Sequence, residues 1–314
     1  MTGTPLPGRV LQGIPRFFHE LDRELGERGL SYRSLGPCPD TKRLVLLDND
    51  DAAEIFWVQN TWLNPFQFEF ESIAGAAQAL RDIQRNWAPV LCTQYRRGAL
   101  IQEKLPALPD KPRPFPWKAP EAPMGSWTLL DAHTLVASPR CTSPFPGGII
   151  AFTENKTDPP SRAYLKLWEA LSLAGTWPHK GERCIDAGAS PGGWTWALSE
   201  LGATVLAIDR APPESRVQNR PGVTYLKHDA FTLKPGDLGK TEWVFSDVIC
   251  YPPRLYAWIE AWLASGLCNN FICTIKMQGP SDNETVRRFA GIPGSRVVHL
   301  CHNKHELTWI MTKV

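Results

Sequence analysis

The chain has 314 residues, with 34 Lys and Arg against 32 Asp and Glu and a formal net charge of +2. This length accommodates two domains, and the near-neutral balance excludes a uniformly basic nucleic-acid coat while leaving room for a local basic patch. Hydrophobic residues make up 43% and charged residues 21%, ordinary for a soluble protein. No apolar run reaches the roughly 18–20 residues that a membrane helix requires.

The opening "MTGTPLPGRVLQGIPRFFHEL" shows no compact apolar region before a small-residue cleavage site, so no secretion signal is expected. "RLVLLDND" (43–50) and "AAEIFWVQNTW" (52–62) predict strands, and "SIAGAAQALRDIQRNWA" (72–88) repeats apolar residues at helical spacing. "LPALPDKPRPFPWKAPEAP" (105–123) is dense in proline, which removes backbone donors and favours an extended surface segment. "SWTLLDAHTLVAS" (126–138) reads as a hairpin, with polar "DAH" between two apolar runs. "SPFPGG" and "NKTDPPSR" then punctuate the path onward. They divide residues 1–154, with the proline-rich segment, from residues 155–314. No internal repeat is visible.

The second part alternates strands and helices. "RCIDAG", "TVLAID", "VTYLKHD", "EWVFSDV" and "FICTIK" are short apolar runs, separated by helical patterns such as "GGWTWALSEL" and "RLYAWIEAWLASGL". That alternation predicts an α/β fold, a doubly wound, mostly parallel sheet. "RVVHLCHN" and "ELTWIMTKV" read as a terminal hairpin, so the last strand is expected to run antiparallel. The eight cysteines form no CxxC pair. Several, such as Cys184 and Cys273, fall in these apolar runs, and free thiols in a reducing cytoplasm are expected.

In such sheets ligands bind beyond the carboxyl ends of the strands, where the strand order reverses. "CIDAGASPGGWTWAL" (184–198) places a glycine-rich turn there. Gly188, Gly192 and Gly193 permit a close backbone approach. The pattern G-x-x-x-G-G, with Pro191 inserted, is not the G-x-G-x-x-G of a dinucleotide cradle. Acids stand at three strand ends. Asp209 suits a ribose diol, Asp229 is placed to meet an adenine amino group, and Asp186 would organise the loop or face a cationic part of the ligand. Together they point to an adenosine ligand without a required diphosphate, S-adenosyl-L-methionine.

"DAGASPGGWT", comprising Asp186, Gly188, Ser190, Pro191, Gly192, Gly193 and Trp194, resembles the cofactor loop of the RNA 2′-O-ribose methyltransferases of the FtsJ (RrmJ-like) superfamily. A Lys–Asp–Lys–Glu set follows in matching context: Lys166 in "PSRAYLKLWEAL", Asp247 in "WVFSDV", Lys276 in "FICTIK" and Glu306 in "ELTWIM". Within the superfamily the likeness runs to the RlmM-type large-subunit ribosomal RNA methyltransferases. It covers residues 125–314 well and the earlier part faintly. "SWTLLDAHTLVASPRCTSPFPGGI" looks like the end of a THUMP-type RNA-binding domain. The sequence departs from the pattern at Ser190, often Cys or Ala in these relatives, and at Ala163, where a small hydroxyl residue is expected near the cofactor.

The resemblance implies a Rossmann-like methyltransferase sheet, an N-terminal α+β THUMP-like domain, and a monomeric cytoplasmic protein acting on RNA, with no membrane and no metal. Lys276 would be the general base for a ribose hydroxyl. Lys166 would modulate it by like-charge repulsion, Asp247 would fix the amine and also face the methyl donor, and Glu306 would orient a lysine. Three other readings compete. "SDVICYPP" superficially resembles base-methylating signatures, but its prolines come late and Cys250 lacks a second convincing cysteine. "HLCHNKHE" brings His299, Cys301, His302 and His305 close enough for a conceivable zinc chelate. A non-catalytic RNA- or cofactor-binding module is the third, with Arg96–Arg97 and "DKPRPFPWK" as a cationic, aromatic RNA surface.

Overall fold

The computed structural model describes residues 3–39, 42–49, 53–108 and 111–313. The predicted stretches reach outside the described residues at 1–2, 50, 52, 109–110 and 314. The chain forms two compact units, residues 1–112 with 119–151 and residues 113–118 with 152–314.

The first unit contains β1 (Thr4–Pro5), β2 (Val10–Gly13), α1 (Phe18–Glu27), β3 (Tyr32–Ser34), β4 (Leu44–Leu47), β5 (Val58–Trp62) and β6 (Phe66–Glu69). It continues with α2 (Ile73–Ile83), β7 (Trp87–Pro89), α3 (Tyr95–Gln102), β8 (Gly125–Leu129) and β9 (Thr134–Ser138). The strands make a sheet ordered β3-β4-β2-β5 and another ordered β1-β6-β9-β8-β7. The β8–β9 hairpin pairs antiparallel, and Trp87, Trp127, Leu80 and Phe68 lie in one core.

Local hydrogen bonds reset two predicted elements. The strand expected from residue 52 begins only at Val58, because buried Glu24 accepts from the Phe56 and Trp57 amides at 3.0 and 3.1 Å and draws them off the ladder. The helix expected through residue 88 ends at Ile83. The Trp87 indole N–H donates to the Gln84 carbonyl, and also to the Leu80 carbonyl that already accepts from the Gln84 amide, so the ring closes over the helix end. The expectation of free thiols also needs correction. Cys184 and Cys273 are buried and free, but Cys38 and Cys92, 54 residues apart, are joined in a disulfide.

The second unit runs α4 (Tyr164–Ala174), β10 (Arg183–Ala187), α5 (Gly193–Glu200), β11 (Thr204–Asp209), α6 (Ser215–Gln218), β12 (Val223–Lys227) and α7 (Pro235–Leu238). Then come β13 (Trp243–Ser246), α8 (Pro252–Ser265), β14 (Asn270–Lys276), α9 (Asn283–Ala290), β15 (Ser295–Val298) and β16 (Glu306–Met311). Their sheet is ordered β12-β11-β10-β13-β14-β16-β15. The five strands from β12 to β14 are parallel, and β16 runs antiparallel between β14 and β15. Central β13, "WVFS", is wholly buried, as helices covering both faces require of a parallel strand. The order reverses between β10 and β13, which opens a crevice beyond their carboxyl ends.

The proline-rich stretch is not simply a surface segment. Residues 113–118 belong to this unit, and the Arg113 carbonyl accepts from the Thr153 amide at 2.8 Å. Phe115 stacks on Trp168 of α4, with ring centroids 4.8 Å apart. Along this extended stretch Arg113, Phe115 and Trp117 are half-buried, whereas Pro114, Pro116 and Lys118 are exposed.

Candidate active site

The crevice holds a cavity of about 460 Å³ whose lining includes Gly188, Ser190, Pro191, Gly193, Trp194, Asp209, Asp229, Asp247 and Lys276, a size suited to a small-molecule ligand. Its glycines are sterically necessary. Gly188 has φ +89°, and a Cβ there would lie 2.4 Å from Val248 Cγ2. A Cβ on Gly193 would stand 2.5 Å from Ser161 Oγ. Gly192, at φ +117°, caps α5 just outside the lining.

The acids of this side have distinct surroundings. Asp209, at the end of β11, accepts from the Ser190 amide at 3.1 Å and the Ala211 amide at 3.0 Å, joining the loop to its strand. Asp229 is paired with Arg210 and Arg254 and accepts from the Phe231 amide at 3.1 Å. Burial would raise its pKa, but these partners hold it below the usual carboxylate value. Asp186 is buried beneath the loop, where the Thr195 hydroxyl donates to it at 2.6 Å. Burial pushes Asp186 up to about 7, and it does not appear in the cavity wall.

The four charged residues of the other side meet. The β14–β16 register sets Lys276 opposite Glu306, β13 delivers Asp247, and α4 delivers Lys166. Lys166 Nζ donates to Asp247 Oδ1 at 2.8 Å and Glu306 Oε1 at 2.7 Å. Lys276 Nζ stands 3.1 Å from Asp247 Oδ1 and 4.0 Å from Glu306 Oε2. The Lys276 side chain is 19% exposed and lines the cavity; that of Lys166 is 7% exposed and does not. Burial acts to lower the Lys166 pKa, but its two carboxylate partners overcome that and raise it. Asp247, which burial would raise, is held below the ordinary range by both lysines. The Lys166 ammonium also lies 5.9 Å from the Trp194 ring centroid, and the Trp194 indole donates to the Ala163 carbonyl at 2.9 Å.

Sequence reasoning missed several lining residues: Ser161, Arg210, Phe231, Ile249 and Arg254. Ser161 supplies a hydroxyl two positions before Ala163, where one was expected, and accepts from the Ala163 amide at 3.4 Å. The histidine-rich segment forms an anchor. Glu169 of α4 accepts from the Cys301 and His302 amides at 2.8 and 3.1 Å and meets His302 Nδ1 at 2.5 Å. Glu169, Cys301 and His302 lie near enough to one another to hold a cation, yet these hydrogen bonds already satisfy the carboxylate. His299 is buried elsewhere, with Nε2 3.1 Å from the Lys304 carbonyl, and burial pushes it down to about 4.

Fold and site together define a Rossmann-like α/β domain with a ligand cavity at the point where the strand order reverses. Residues 159–303 match the family model described as FtsJ-like methyltransferase. It is 35% identical over 157 residues to a ribosomal RNA large subunit methyltransferase M from Halorhodospira halophila, covering 48% of this chain and 46% of the relative. The protein of the same name from Azoarcus sp. is 32% identical over 189 residues, covering 55% and 51%. That from Xanthomonas oryzae pv. oryzae is 30% identical over 211 residues, covering 64% and 56%. The chain spans about half the length of the curated relatives it matches. S-adenosyl-L-methionine is the methyl donor of this class of domain, and the cavity fits it. The loop glycines leave space that a Cβ would fill, and Asp209 presents a carboxylate at the cavity wall. Among the described residues, no helix is long and apolar enough to cross a membrane.

Proposed function

We propose that this protein transfers a methyl group from S-adenosyl-L-methionine to the 2′-hydroxyl of an RNA ribose, with large-subunit ribosomal RNA as the substrate class. The carrying observation is the placement of Lys276: it lines the ligand cavity beside Asp247, whose Oδ1 stands 3.1 Å from its amine. The donor supplies a methyl group already activated by a sulfonium centre, so the remaining task is to make a poor hydroxyl nucleophile attack in line.

Lys276, once deprotonated, takes the hydroxyl proton as the ribose oxygen attacks. Lys166 keeps its own proton, held by two carboxylates, and maintains a positive charge beside the base. Glu306 orients the Lys166 amine by a charge-assisted hydrogen bond, and Asp247 bridges both amines. On the opposite wall Asp209 would accept from the donor's ribose hydroxyls and Asp229 would meet its adenine amino group. Gly188, Ser190, Pro191, Gly192, Gly193 and Trp194 shape the loop, with Asp186 supporting it from below.

Two features favour ribose over base methylation. Pro252 and Pro253 occupy the first turn of α8 instead of following β13 directly. The Cys250 thiol is pushed up to about 11 by burial, which suppresses the thiolate that C5 attack needs. Residues 1–154 serve as a THUMP-like RNA-binding region, and the protein works as a cytoplasmic monomer. Radiolabelled methyl transfer to large-subunit RNA, followed by alkaline digestion, tests the reading. A 2′-O-methyl group blocks cleavage at the next phosphodiester, so label is expected in alkali-resistant dinucleotides. Label in mononucleotides would establish base methylation instead.

A further inference from the structure

Two exposed large apolar side chains of the second unit stand at one place. Among the described residues of that unit, Ile249 at 72% and Tyr251 at 69% are the exposed large hydrophobics. Both follow Asp247 in the short loop between β13 and α8. Ile249 lines the same cavity as Lys276. Tyr251 is the N-cap of α8, and its carbonyl accepts from the Arg254 and Leu255 amides at 3.0 and 3.4 Å. Pro252 and Pro253 fix the backbone immediately after it. The exposed ring is therefore carried on a constrained backbone.

We infer that Tyr251 and Ile249 form the platform on which the base of the acceptor nucleotide lies, an inference that rests on the ribose-methylating reading of this site. A ribose that offers the hydroxyl on C2′ to Lys276 carries its base on the adjacent carbon, C1′. The glycine loop and Asp209 wall are taken up by the methyl donor. The base therefore leaves along the loop after Asp247, where Ile249 lines the cavity and Tyr251 stands exposed two positions further on. Every nucleobase has an apolar face, so an aromatic ring here holds the nucleotide out of its stack with little sequence preference. Sequence choice must then come from contacts elsewhere.

The test uses the full chain, in vitro transcribed large-subunit ribosomal RNA without protein, and radiolabelled S-adenosyl-L-methionine. Loss of one base–aromatic stack corresponds to roughly 5- to 150-fold in affinity. Tyr251→Ala is expected to lower kcat/KM for RNA by that factor, chiefly through KM, while calorimetric affinity for S-adenosyl-L-methionine is unchanged. Tyr251→Phe and Tyr251→Trp are expected to stay near wild type, because the face and not the hydroxyl makes the contact. Equal losses in Tyr251→Phe and Tyr251→Ala would overturn the platform, as would an undiminished Tyr251→Ala. A loss seen only with intact ribosomal particles would assign the patch to a protein partner and also overturn it. Absence of ribose methylation by the wild-type protein would remove the functional reading and this inference together.

Discussion

The two walls of the cavity are both acidic at the strand ends, yet they manage charge differently. On the β13–β14–β16 wall, two lysines and two carboxylates enclose one another, and each ionised group is stabilised by its opposites. On the β11–β12 wall, Asp209 bonds backbone amides and Asp229 bonds exposed arginines. The first arrangement suits a proton transfer: its charges are fixed before substrate arrives, and the most open member faces the cavity. The second suits binding, where acceptors on a loop and rim can meet a ligand's hydroxyl and amino groups. On the proposed function, the difference separates chemistry from recognition within one sheet.

The sharpest way to break this division is Lys276→Ala. Removing a general base costs about 10²–10⁴-fold in rate, while donor affinity should stay put because its contacts lie on the other wall. Lys276→Arg should not restore turnover, since guanidinium keeps its proton. Single-turnover methyl transfer beside calorimetry checks both, and activity retained in Lys276→Ala would take this lysine out of the mechanism. Lys166→Met probes the buried half of the network. It leaves Asp247 and Glu306 with one fewer cation, and breaking a buried pair costs about 3–5 kcal/mol. A large drop in the urea midpoint is expected, and an unchanged midpoint would mean that solvent screens these charges. Asp209→Ala tests the binding wall. Loss of a charged acceptor costs about 1.5–3 kcal/mol, so S-adenosyl-L-methionine should bind roughly 10- to 150-fold more weakly. Unchanged affinity in titration calorimetry would reduce Asp209 to a loop brace.

What could be read from the chain follows from which geometry is local. Asp209 and Asp229 were legible because a parallel strand delivers its terminal side chain to the crevice, and strand ends show as breaks in apolar runs, whereas Asp247 and Lys276 were singled out by the resemblance. Glu306 and Lys166 required a resemblance, since nothing in "ELTWIM" or "YLKLWEAL" says that 140 residues of sequence separation close into a 2.7 Å contact. Arg210 and Arg254 beside Asp229 were missed for the same reason: exposed arginines carry no periodic signature. In the first unit, the Glu24 carboxylate and the Trp87 indole moved element boundaries by hydrogen-bonding backbone groups outside the regular ladders, a side-chain effect that apolar periodicity does not record. Cys38 and Cys92 lie on separate loops, and spacing alone gave no sign of their meeting.

The six residues 113–118 bear on how the protein is made. During synthesis from the N-terminus, Phe115 is translated well before Trp168, the ring on which it stacks. At typical translation rates of about 5–20 residues per second, it waits about 3–10 seconds for that partner. Over that interval the nascent chain also produces residues 119–151, which return to the first unit. The segment must therefore stay undocked while the unit on either side of it closes. Its alternating prolines suit this delay: they hold the stretch extended and deny it backbone donors that would pair with a growing sheet.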